Sequence, residues 1–156
     1  MEITIRKGGE RDFPVIMALI KDLASFEKAP NAVKNSVQKM KKERAYLNFF
    51  VAEQDGEIVG YATYFFAYYT WVGKSLYMDD LYVKPELRGR KIGSRLLKRV
   101  LELAKKENCK LIRWQVLDWN TNAIKFYKKQ GARISRKWLN CDFNEKGIDR
   151  FLRHSF

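Results

Sequence analysis

Between Arg88 and Ser94 the chain reads Arg88-Gly89-Arg90-Lys91-Ile92-Gly93-Ser94, with three cations and two glycines in seven residues. Directly after it, Leu96, Leu97, Val100, Leu101 and Ala104 recur at helical spacing, while Lys98, Arg99, Lys105 and Lys106 fall on the opposite face. A loop of this kind at a helix start gathers unpaired backbone N–H groups, the positive end of the helix dipole and mobile cations. That combination suits a pyrophosphate. The spacing is neither the Walker sequence nor the dinucleotide fingerprint. Read from the residues alone, a solvated loop whose glycines only permit tight turns competes with the anion site.

A second chemical feature lies just upstream. Met78–Val83 is apolar or aromatic except for Asp79 and Asp80, so two adjacent carboxylates interrupt a strand that otherwise reads as buried. Other chemistries have little support. His154 is the single histidine, and Cys109 and Cys141 lack metal-ligand spacing, so no metal and no histidine-based catalysis are expected.

The net charge of +13 concentrates near the basic loop, with eleven Lys and Arg against three Glu between Lys84 and Arg113. Such a field steers a polyanion, either a phosphorylated cofactor or a nucleic acid. Tyr61, Tyr64, Phe65, Phe66, Tyr68, Tyr69 and Trp71 crowd one strand. Aromatics in that density stack bases in some proteins and fill cores in more. No RNP, KH or helix-turn-helix signature accompanies them.

The elements that must position these groups follow in order. The 156 residues, 46% hydrophobic, are expected to form one domain, residues 1–156. Glu2–Lys7 alternates as a strand. Asp12 stands as a helix cap before Phe13-Pro14, and Val15, Ile16, Leu19, Ile20, Leu23 and Phe26 form one helical face. A second, more exposed helix is predicted over Val33–Tyr46. Phe49–Glu53 and Ile58–Tyr69 read as strands around the Asp55-Gly56 hairpin signal. Lys84-Pro85-Glu86 stops the central strand. Beyond the central helix, strands are predicted at Leu111–Leu117, Ile134–Leu139 and Cys141–Phe143, a helix at Thr121–Gln130 ended by Gly131, and a turn or helix at Ile148–Leu152. The order is mixed α/β. MEITIRKGGE lacks a secretory apolar core and no apolar run is long enough to span a membrane, so a reduced, cytoplasmic setting without membrane attachment is expected.

The block from Met78 to Lys106 resembles the GCN5-related N-acetyltransferases, whose acetyl-CoA loop runs Q/R-x-x-G-x-G/A. Arg88 and Gly93 match, and Lys91 stands where the first motif glycine is usual. Lys91 either adds a charge to the phosphate contact or crowds the backbone approach. Leu19-Ile20-Lys21-Asp22-Leu23-Ala24, Phe50-Val51-Ala52-Glu53, Trp71-Val72-Gly73-Lys74, Asp79-Asp80-Leu81-Tyr82-Val83, Trp119-Asn120 and Phe126-Tyr127-Lys128-Lys129-Gln130-Gly131-Ala132 are similar to the diamine and thialysine N-acetyltransferases of that superfamily. They cover most of the chain in order.

The resemblance implies a mixed, mostly antiparallel, splayed sheet flanked by helices, acetyl-CoA as co-substrate, a small primary amine as acceptor and a homodimer. It assigns the pantetheine arm to the backbone of Leu81, Tyr82 and Val83. The pyrophosphate falls to Arg88, Gly89, Arg90, Lys91, Ile92, Gly93 and Ser94, and further cofactor contacts to Asn120, Thr121, Asn122, Ala123 and Tyr127. Tyr127 is the implied general acid for the departing thiolate. Asp79 is the implied base through water, and Glu27, Asp80 and Trp71 join it in holding the substrate. Tyr69 and Arg136-Lys137 replace acidic positions of the polyamine enzymes, so a smaller amine such as thialysine, lysine or another amino acid fits better. A diamine, a protein lysine or N-terminus, and, in another class, a nucleic-acid ligand are the alternatives.

Overall fold

In the computed structural model, which describes residues 2–154, the chain divides after Gln115 into two compact units, each taken by itself. The first unit holds β1 (Ile3–Lys7), α1 (Phe13–Phe26), α2 (Val37–Lys42), β2 (Asn48–Gln54), β3 (Glu57–Tyr69), β4 (Gly73–Val83), α3 (Ile92–Lys106) and β5 (Ile112–Arg113). The second holds α4 (Thr121–Lys129) and α5 (Glu145–Leu152). The strands form one sheet in the order β1-β2-β3-β4-β5. Its first three pairings are antiparallel and the last is parallel. This is the mixed α/β fold with flanking helices that the element order predicts. No helix among the described residues is long and apolar enough to cross a membrane.

Local chemistry accounts for each joint. Asp55 (φ 50°) and Gly56 (φ 85°) close the β2–β3 hairpin in the left-handed backbone that its tight turn requires. One face of α1 buries Phe13, Ile16, Met17 and Leu19 in a cluster with Phe49, Val51, Tyr61 and Tyr82. α3 buries Ile92, Leu96, Leu97, Val100 and Ala104, and each large side chain of this kind contributes roughly 1.5–3 kcal/mol. Gly60 lets α3 come close: a Cβ there would stand 2.7 Å from the Tyr82 carbonyl oxygen and 3.4 Å from Leu96 Cδ1. Arg6 clamps the start of α1, its guanidinium donating to both Asp12 carboxylate oxygens at 2.9 Å and to Glu53 at 2.8 Å.

Several expectations are corrected. Asp12 does not cap α1 with its side chain; its carboxylate turns back to accept from Gly9 N at 2.9 Å and from Arg6. The hydrogen bond from the Arg6 guanidinium, against the opposing effect of burial, holds Asp12 below the usual carboxylate range. The helix read across Val33–Tyr46 is only Val37–Lys42, because Ser36 caps it by accepting from Lys39 N. Leu111–Leu117 pairs only at Ile112 and Arg113. Ile134–Leu139 and Cys141–Phe143 form no strand: alternation favours a strand, but only a ladder makes one. Of the aromatic strip, Tyr61 and Tyr64 fill the core, whereas Phe65, Phe66, Tyr68 and Trp71 stay exposed.

Candidate active site

The central strand β4 creates the first element of the site by losing a neighbour. Its parallel ladder with β5 consists of Leu76↔Ile112 and Tyr77↔Arg113 and then stops. From Met78 to Val83, β4 has a ladder partner only on its β3 side among the described residues. Alternate N–H and C=O groups of that stretch, which includes Leu81, Tyr82 and Val83, are directed away from β3. An open strand edge of this length can pair with an extended amide-bearing chain.

The second element follows at once. A short 3-10 turn, Pro85–Leu87, leads into the basic loop, and α3 begins at Ile92. Gly89 has φ 80° and Lys91 φ 62°, so two left-handed residues bend the loop over the start of the helix. The first intrahelical bond there is from Arg95 N to the Lys91 carbonyl at 3.0 Å. The N–H groups of Ile92, Gly93 and Ser94 precede it and have no intrahelical partner. The backbone at Lys91 thus adopts the conformation natural to glycine although a lysine occupies it. Arg88 is anchored: Nε donates to the Val83 carbonyl at 3.0 Å, with its guanidinium 4.9 Å from the Phe26 ring centroid and 5.6 Å from that of Tyr82. The open helix start, flanked by Arg88, Arg90 and Lys91, fits a pyrophosphate.

A third element is acidic. Register passes from Ala62↔Leu81 to Tyr64↔Met78, so Thr63 alone faces Asp79 and Asp80, a β-bulge. Asp80 N donates to Thr63 Oγ1 at 2.9 Å, and Tyr61 Oη donates to Asp80 Oδ2 at 3.1 Å. Burial, then the charges of Asp79 and Glu27, push Asp80 up to about 6 against the pull of the Tyr61 hydrogen bond. Burial also raises Asp79, although its side chain reaches water. Glu27, at the end of α1, is raised by burial and by Asp79. These three predicted carboxylates therefore share one electrostatic neighbourhood. Trp71 does not join them. It is 91% exposed in the turn before Gly73, and the six steps from Gly73 to Asp79 span roughly 20 Å of strand. Sequence reasoning did not connect Tyr61 with these carboxylates: it is one of four tyrosines on β3, and only the register across the bulge brings its hydroxyl to Asp80.

In the C-terminal unit, Asn120 caps α4 by accepting from Ala123 N at 3.2 Å, which fixes Thr121, Asn122 and Ala123 in the first turn. Gly131 (φ 89°) ends that helix in the left-handed conformation. Tyr127 lies on α4, is 8% exposed, and its ring centroid stands 5.3 Å from that of Phe126 in an edge-to-face arrangement. Among the described residues no cluster of His, Cys, Asp and Glu is arranged to hold a metal ion.

Residues 16–132 match the acetyltransferase (GNAT) family. The mouse thialysine N-epsilon-acetyltransferase is 38% identical over 159 residues, covering 92% of this chain and 94% of that one. An integron cassette protein of Vibrio cholerae superposes with a TM-score of 0.80 at 24% identity, covering 99% of each chain. A Clostridium acetobutylicum protein solved with acetyl-CoA superposes with a TM-score of 0.75 at 20% identity, covering 90% of this chain and 96% of that one.

Proposed function

The chain belongs to the acetyltransferase (GNAT) family, and from that premise we propose that it carries the acetyl group of acetyl-CoA to the primary amine of a small, amino-acid-like molecule such as thialysine or lysine. N-acetyl transfer is the activity of the family and of its thialysine-acetylating relatives. The observation that carries the finer reading is the junction of β4 with α3. One continuous stretch holds, in order, a carboxylate pair, an open strand edge and an unpaired helix start beside three cations.

Each part has a chemical task. The loop from Arg88 to Ser94 binds the diphosphate of the donor, and the Leu81–Val83 backbone pairs with its amide arm. Asn120, Thr121, Asn122 and Ala123 add contacts from the start of α4. An N–H of the β4 edge polarises the thioester carbonyl as negative charge builds on its oxygen. The amine arrives as an ammonium ion, which Glu27, Asp79 and Asp80 attract. Asp79, which reaches water, takes up its proton through a water molecule. The freed nitrogen attacks the carbonyl carbon, the C–S bond breaks, and Tyr127 gives its proton to the departing thiolate. A phenol near pKa ~10 protonating a thiolate near ~8.5 is mildly uphill at equilibrium, yet it assists while charge develops.

The acceptor is argued from charge. Arg113 lies 4.5 Å from the centroid of the Tyr69 ring, which puts a cation at a position where the resemblance to polyamine enzymes calls for an acid. An acceptor with several positive charges is disfavoured there. The test is a screen of thiol release from acetyl-CoA with thialysine, lysine, diamines, spermidine and lysine peptides as acceptors. The amino acids should give the highest kcat/KM. Preferential turnover of spermidine or of peptides would overturn the assignment. A homodimer belongs to the same proposal and is checked by light scattering.

A further inference from the structure

We propose that Tyr61 is a positioning residue for the reaction: its buried hydroxyl, bonded to Asp80 across the bulge, sets the proton affinity of the Asp79–Asp80 pair that relieves the substrate ammonium of its proton. The proposal rests on the acetyl-transfer reading and adds to it a residue that touches neither donor nor acceptor.

Three observations carry it. First, Tyr61 is fully buried, one of the largest buried side chains of the core, with its ring 6.1 Å from that of Tyr82. A buried phenol needs a hydrogen-bond partner, and this one spends its only proton on Asp80 Oδ2 at 3.1 Å. Second, the bulge holds the same aspartate by its backbone, with Asp80 N on Thr63 Oγ1. A regular strand would send Asp79 and Asp80 to opposite faces; the bulge re-aims the strand at this point. Third, the ionisable groups that act on Asp80 from the elements around it are Asp79 on its own strand, Glu27 from the end of α1 and Tyr61 from β3. Two of them are acidic and hinder its ionisation. The Tyr61 hydroxyl is the one that favours the carboxylate form.

The division of labour follows. Asp79 faces water and exchanges protons with it, while Asp80 is the buried member whose ionisation the fold regulates, and two coupled carboxylates titrate as a unit. The balance is simple: R–NH3+ and one carboxylate give R–NH2 and one carboxylic acid, which later returns its proton to water. Tyr61 keeps its own proton throughout, because burial and the neighbouring carboxylates push its pKa far up. Without the Tyr61 hydroxyl the pair would hold its proton to higher pH and would be protonated, hence idle, over more of the neutral range.

The experiment is the pH dependence of kcat/KM for acetyl transfer in wild type and Tyr61→Phe, with the acceptor selected by the screen above. The ionisation of the amine is common to both proteins, so their difference reports the enzyme. Tyr61→Phe keeps the ring and removes one hydrogen bond to a carboxylate, which should move the acid limb upward by roughly 0.5–1 pH unit. The plateau rate at high pH should stay within about threefold, since no group that touches the reactants is removed. In the same variant, the carboxyl-carbon NMR titration of Asp80 should shift by the same amount. A second variant, Asp80→Asn, keeps an acceptor for the Tyr61 hydroxyl and should abolish the step near pH 6. An unmoved acid limb in folded Tyr61→Phe, or a surviving step near 6 in Asp80→Asn, overturns the role of Tyr61. Absence of transfer to every amine by the wild-type protein overturns instead the acetyl-transfer reading on which that role depends.

Discussion

Arg88 is tied to Val83: its Nε donates to the Val83 carbonyl at 3.0 Å, joining the basic loop to the last residue of β4. The arginine that the resemblance assigns to the pyrophosphate also holds the loop in shape. Phe26 and Tyr82 flank the same guanidinium, so the loop, the strand end and the end of α1 share one anchor.

Replacing this arginine by lysine tests the anchor. An ammonium keeps the charge but lacks the planar fork that bonds a carbonyl and stacks on rings together. Arg88→Lys should weaken acetyl-CoA binding about tenfold, a loss of about 1.4 kcal/mol, with kcat little altered. Isothermal titration calorimetry reads the affinity, and equal dissociation constants for the two proteins would remove Arg88 from cofactor binding.

Lys91 invites the opposite experiment. Its φ of 62° costs a non-glycine residue roughly 1–2 kcal/mol, and glycine returns about 0.5–1 of that through greater freedom in the unfolded chain. Lys91→Gly should therefore stabilise the protein by about 0.5–1 kcal/mol, a rise of a few degrees in Tm. It also deletes an exposed charge beside the helix start. Acetyl-CoA binding should weaken roughly threefold at low salt, and the difference should fade as salt screens it. A lower Tm, or tighter cofactor binding, would show that the lysine serves differently.

Much of the site could be read before the structure. The α3 face, the hairpin at Asp55-Gly56 and the basic loop follow from local rules of period, turn and cap, which a sequence states directly. The strands read at Ile134–Leu139 and Cys141–Phe143 failed because pairing is not local: Trp138 and Leu139 are apolar, yet they are largely exposed and join no ladder. Asp12 looked like a cap, and its neighbour Arg6 drew the carboxylate elsewhere. The bulge at Thr63 depends on the register between two strands, so neither it nor the Tyr61–Asp80 bond could be foreseen from either strand by itself.

The raised proton affinity of Asp80 has a cost in stability, and its sign is determinate. The folded protein binds the proton up to about pH 6, whereas an unfolded aspartate releases it near the ordinary value of 3.8. The associated stability is fully present below pH 3.8 and is lost as pH rises through 6. At neutral pH the deficit approaches about 3 kcal/mol by the same arithmetic. Asp80→Asn removes the titrating group and keeps an acceptor for Tyr61, so it should raise Tm at pH 7 and have little effect near pH 4. Thermal melts at both pH values check this. A variant that melts lower at pH 7 would mean that the charged form of Asp80 stabilises the fold.

Tyr127 carries the last test. The ring is buried and touches Phe126, so Tyr127→Phe preserves the apolar body and deletes only the hydroxyl. Loss of one general acid typically slows a reaction ~10²–10⁴-fold, and kcat should fall within that range with acetyl-CoA affinity within about twofold. The deficit should shrink when the leaving thiolate is made less basic, because a better leaving group needs less help from an acid. Rates measured with acetyl-CoA and with a more acidic thioester donor separate the two roles open to this phenol. If both donors slow equally, Tyr127 positions the substrate; if only the more basic thiolate suffers, Tyr127 supplies the proton.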